Sequence, residues 1–120
     1  MSRLPYKNLH IWQKAMIVAE ASYVVTKSMP QEELYGLISQ IRRAGASIPA
    51  NIAEGSQRGT DKDFVQFIAI ARGSLAELET LILLSQKIGY LNKEYIANIF
   101  LETTELSKML RSFYGTLKSK

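Results

Sequence analysis

Apolar residues recur at intervals of three and four along nearly the whole chain, the spacing of one face of an α-helix. The first such stripe, Leu9, Trp12, Met16, Ala19 and Tyr23, predicts a helix from about Asn8 to Lys27. A second, Leu34, Leu37, Ile41, Ala44, Ile48 and Ile52, predicts a helix from about Pro30 to Ser56. Proline is tolerated in a first turn, and Glu32 and Glu33 suit the positive end of the helix dipole. The third stripe, Phe64, Phe67, Ala71, Leu75, Leu78 and Ile82, follows Thr60-Asp-Lys-Asp63, a capping-box-like opening. The fourth takes Ile96, Ile99, Thr103, Leu106, Leu110, Phe113 and Leu117, with Asn92 placed to cap it. Connections of a few residues cannot carry the chain back along helices about 30 to 40 Å long, so neighbours are expected to run antiparallel. The predicted fold is all-α: one domain over residues 1–120, an up-down-up-down four-helix bundle in which each stripe is buried by the others.

Some residues interrupt this pattern. Pro49, inside the second helix, removes a backbone hydrogen bond and crowds the preceding turn, which predicts a kink between Gly45 and Pro49 or a break into two helices there. Gly36, Gly45 and Gly73 each cost up to about 1 kcal/mol relative to alanine within a helix, so close helix approach is expected at them. A polar stripe, Gln40, Arg43, Ser47, Asn51 and Glu54, shares one face of the second helix, and Glu77 on the third could partner it. It reads as a network fixing register between helices or subunits rather than as a binding surface. On that reading Arg43 matters more to stability than Arg42, which lies about 100° further round.

Composition narrows the chemistry. Cysteine is absent and His10 is the sole histidine, which excludes disulfides, thiolate nucleophiles, Cys-based metal sites and a histidine cage. Glu-x-x-His, the pattern of di-iron bundles, does not occur. Gly55-Ser-Gln-Arg-Gly59 lacks the ending of a phosphate loop and reads as a loop closing a helix. No metal, cofactor or catalytic residue is therefore assigned, although an enzyme would have to use His10 or the Glu54 and Glu77 carboxylates. The apolar runs are far shorter than the ~20 residues that cross a bilayer, and no signal-peptide pattern opens the chain. No membrane partner is expected, and the cytoplasm is the default compartment.

Charge adds one further candidate. The 15 Lys and Arg exceed the 11 Asp and Glu by four, and the excess leans to the first 72 residues. Arg42, Arg43, Arg58, Lys62 and Arg72 fall between the second helix and the start of the third and are the candidate nucleic-acid-binding residues, to which Lys7 and Lys14 could add. Apolar residues off the main stripes, Ile11, Val18, Val25, Ile38, Val65, Ile70, Leu84 and Phe100, are more than one interior absorbs, and predict a homo-oligomer.

The run Tyr35-Gly-Leu-Ile-Ser-Gln-Ile-Arg-Arg-Ala-Gly-Ala-Ser-Ile-Pro-Ala-Asn-Ile-Ala-Glu-Gly55, then Phe67-Ile-Ala-Ile-Ala-Arg-Gly-Ser-Leu-Ala-Glu-Leu78, resembles the bacterial four helix bundle protein family. Leu9-His-Ile-Trp12 and Met29-Pro-Gln-Glu-Glu-Leu-Tyr35 resemble it too. That family includes proteins encoded in intervening sequences of large-subunit ribosomal RNA genes. The resemblance implies an antiparallel bundle assembling into a homopentamer. It also implies kinship with the accessory variability proteins of diversity-generating retroelements, which bind nucleic acid and a reverse transcriptase. The function expected is a non-enzymatic scaffold that binds RNA, DNA or a nucleoprotein partner, and the alternative is an assembly module that binds protein alone.

Overall fold

Periodicity of this kind yields four helices and, among residues 5–120 that the computed structural model describes, no strand. They are α1 (His10–Thr26), α2 (Ser39–Ser56), α3 (Asp61–Lys87) and α4 (Lys93–Lys118). Their starts follow from side-chain chemistry. The Asp63 amide donates to Thr60 Oγ1 at 3.1 Å, and the Tyr95 amide donates to Asn92 Oδ1 at 2.7 Å, satisfying first-turn N–H groups that have no helical partner. The exit from α3 needs Gly89, whose φ of 94° disfavours any residue with a Cβ.

α2 makes its largest contact with α3, and α1 with α2, α3 with α4 and α1 with α4 complete a closed order of neighbours. One apolar core runs between them, through Val18, Ile41, Ile48, Ile52, Phe64, Ile68, Leu78, Ile82, Leu106 and Leu110. The molecule measures 49 × 24 × 20 Å, as expected when a helix of 27 residues, about 40 Å at 1.5 Å per residue, sets the long axis.

In α1 the buried face is not the expected stripe but Ile11, Ala15, Val18, Ser22 and Val25, while Met16 and Tyr23 are exposed. Eleven of the seventeen positions of α1 are apolar, so two stripes about 100° apart compete, and closeness of approach to α2 decides between them. A Cβ added at Gly45 would lie 2.5 Å from Ser22 Oγ and 3.0 Å from Ser22 Cβ, so the two helices touch through small residues. Of the eight residues expected to be surplus, Ile11, Val18, Val25 and Ile38 are buried, Val65 and Phe100 are partly buried, and Ile70 and Leu84 stand exposed.

The second predicted helix divides, but not at Pro49. α2 continues as one helix from Ser39 through buried Pro49 to Ser56. The interruption lies upstream, where a 3₁₀ turn at Gln31–Glu33 and a wide turn at Leu34–Ile38 precede α2, with Gly36 outside helical geometry at φ −112° and ψ −112°. Its cause is local: the Leu37 amide donates to Glu33 Oε1 at 3.2 Å, so a side chain stands in for a backbone carbonyl. A Cβ on Gly36 would come within 2.6 Å of that same oxygen. Gly36 thus admits a carboxylate rather than another helix. Gly73 faces open space, and Gly55, expected in the loop closing a helix, lies in the last turn of α2 with Phe67 and Phe64 against it.

Candidate nucleic-acid interface

The five candidate basic residues lie in three separate places. Arg42 and Arg43 stand near the start of α2, and Arg58 lies just beyond its end, about 24 Å away at 1.5 Å per residue. Arg72 is in the middle of α3, and Lys62 is exposed in its first turn.

Three of the arginines share a local design. The Arg42 guanidinium carbon lies 4.7 Å from the centre of the Tyr23 ring, that of Arg58 is 4.8 Å from Phe67, and that of Arg72 is 5.1 Å from Tyr114. Each guanidinium carbon is thus within cation–π distance of a ring. Their electrostatic settings differ. Arg58 donates to Glu54 Oε2 at 2.7 Å and is largely neutralised by it. Arg72 shares a groove between α3 and α4 with Glu79. Arg42 donates through Nε to Thr26 Oγ1 at 2.8 Å, which fixes it to α1 without a carboxylate. Lys14 is not part of any free basic surface, since it bridges α1 to Glu102 at 2.8 Å and Glu105 at 3.0 Å on α4. Those hydrogen bonds raise its pKa above the ordinary lysine value.

The expected polar stripe on α2 contracts to a smaller group. Ser47 and Ser74 hydroxyls meet at 2.9 Å between α2 and α3, and Asn51 Nδ2 donates to Ser47 O and Oγ at 2.8 and 2.9 Å. Gln40, Arg43, Glu54 and Glu77 are exposed and stand outside it, because a helix face three positions wide meets its neighbour only along its centre line. Arg42 and Arg43 therefore exchange the roles expected of them. Arg42 is held by Thr26 and Tyr23, and Arg43 has no ion-pair partner among the described residues.

One contact and one exposed ring went unforeseen. Tyr90 Oη donates to Glu33 Oε2 at 2.9 Å, joining the turn before α2 to the connection between α3 and α4. That bond, reinforced by burial, raises the phenol pKa. Tyr35, at 93% exposure, projects from the wide turn before α2. No spacing rule finds such residues, since they sit where helical periodicity lapses. On the far side of α1, Ile17, Ala21, Val24 and Tyr95 form an apolar groove with α4, edged by Glu20 and Glu94. No helix of the described residues is long and apolar enough to cross a membrane, and no three metal-ligating side chains converge among them.

A bundle of helices with stacked surface arginines defines a class, and comparison with known proteins gives the family. The family model described as 23S rRNA-intervening sequence protein matches residues 7–112. The chain belongs to that family. It is similar to a crystal structure of a protein with unknown function from the S23 ribosomal protein family of Bacteroides thetaiotaomicron VPI-5482, with 27% identity and a TM-score of 0.77. The match covers 87% of this chain and 97% of that one. The comparison with curated proteins found no match.

Proposed function

We propose that this protein is a non-enzymatic, homo-oligomeric scaffold, an up-down-up-down bundle acting in the cytoplasm, that binds RNA, DNA or a nucleoprotein such as a reverse transcriptase complex. The observation that carries the reading is the set of surface arginines that each lie over an aromatic ring, since a guanidinium can pair with a phosphate and stack on a base. Membership of a family named for ribosomal RNA supports it by association only. A single chain of +4 attracts nucleic acid weakly, whereas five copies in a ring would carry +20.

The test is a fluorescence-anisotropy titration with structured RNA and with single-stranded DNA at two salt concentrations. Binding that weakens steeply with salt is expected, and no binding to either at low salt overturns the proposal. The second reading, a module that binds only protein, is favoured by the apolar groove of Ile17, Val24 and Tyr95.

A further inference from the structure

Of the surfaces that carry arginine, one has no carboxylate in its lining. Tyr23, Leu34, Tyr35, Ile38, Arg42 and Arg43 surround an open groove of about 400 Å³ where α1 meets the turn before α2. Arg58 is answered by Glu54, and the groove at Arg72 also holds Glu79, but Arg42 and Arg43 contribute two adjacent charges to a groove with no carboxylate in its lining. Arg42 is also held in place: its Nε donates to Thr26 and its guanidinium carbon lies over the Tyr23 ring, so less rotamer freedom is lost on binding. Tyr35 stands beside them with nearly all of its surface in water. A large exposed aromatic next to paired guanidinium groups matches a ligand that is both anionic and flat.

We infer that this groove binds a single-stranded segment of nucleic acid, with a base stacked on Tyr35 and neighbouring phosphates on Arg42 and Arg43. The inference rests on the nucleic-acid reading above and adds the place and the strandedness. Duplexes keep their base faces stacked on one another, so a ring that stands free, as Tyr35 does, is usable only by an unpaired base.

The measurement uses the full chain, a labelled RNA of about 20 nucleotides containing only A and C, and the same RNA paired with its complement, since site sizes on such surfaces run up to about 16 nucleotides. The unpaired RNA is expected to bind at least about tenfold more tightly, because stacking per base is worth that order. Tyr35→Ala should weaken it by about fivefold or more, whereas Tyr35→Phe, which keeps the ring, should stay within about twofold. Arg43→Ala should flatten the slope of log affinity against log salt by about 0.7, one phosphate contact on a single strand. Both positions are exposed, so the variants should fold, and circular dichroism with light scattering checks that they do. Equal affinity for the duplex, or full affinity in Tyr35→Ala, overturns the groove while leaving nucleic-acid binding elsewhere intact. An altered oligomeric mass in Tyr35→Ala with unchanged RNA affinity also overturns it, and assigns the groove to a subunit contact. No binding of either RNA at low salt overturns this inference together with the proposed function.

Discussion

Adjacent arginines on one helix carry opposite tasks, and the difference is measurable. Arg42→Ala removes a hydrogen bond from a charged donor to the buried Thr26 hydroxyl and is expected to cost about 1.5 to 3 kcal/mol. Arg43→Ala should cost under about 0.5 kcal/mol, as exposed substitutions do. Urea denaturation checks the order, and equal losses would show that the Thr26 bond contributes nothing. Sequence phase pointed to Arg43 because it counted positions on an ideal helix. What it could not include was the shift of α1 by one position, which puts Thr26 and Tyr23 beside Arg42 instead. Tyr90 offers a second check. Its hydrogen bond to the Glu33 carboxylate raises the phenol pKa above the unfolded value, so the neutral form is favoured on folding. The stability this contributes is complete below about pH 10 and is lost as pH rises through the folded pKa. Between about pH 9 and pH 11 the urea midpoint of the native protein should therefore fall further than that of Tyr90→Phe. Parallel curves would place the bond outside the stability balance.

Helices were legible in the sequence wherever polar and apolar positions alternate cleanly. The core stripes of α2, α3 and α4 match the expected ones closely, and the Thr60 and Asn92 caps follow from residue type alone. α1 was ambiguous because its apolar residues fill two adjacent stripes, and its register is set by Gly45 and Ser22 on facing helices, a contact between residues 23 apart. The turn before α2 was hidden for another reason: it depends on one carboxylate folding back onto the Leu37 amide. Two glycine substitutions separate these effects. Gly45→Ala would push α1 from α2 and is expected to destabilise by about 1 to 3 kcal/mol, the usual cost of overpacking. Gly73→Ala, which meets nothing within 4 Å, should stabilise by about 0.5 to 1 kcal/mol through helix propensity. Thermal denaturation of the pair reads both signs, and a Gly73→Ala loss would show that this face is occupied by another subunit.

At the scale of the whole molecule, the surface retains more apolar area than four helices can hide. Met16, Ile17, Val24, Ile70, Leu83, Leu84, Ile88 and Leu101 are all exposed. We expect the purified protein to self-associate, and light scattering after size exclusion should give a mass near 67.5 kDa for five copies of 13.5 kDa. A mass of one chain that persists at high concentration would remove the charge amplification on which the proposed scaffold depends. The surplus was visible in the sequence, but not its location, because half of the residues first counted as surplus belong to the core face of α1 and the turn before α2. The seam between α1 and α4 has a consequence of its own. It is the least extensive of the four contacts between neighbouring helices, and Lys14 ties residues 88 positions apart across it. Local opening begins where packing is least extensive, so we expect the first and last helices to part before the inner pair does. An open seam is also a template: α4 of one chain can close against α1 of another, and helix exchange then turns the weakest contact within a subunit into a bond between subunits.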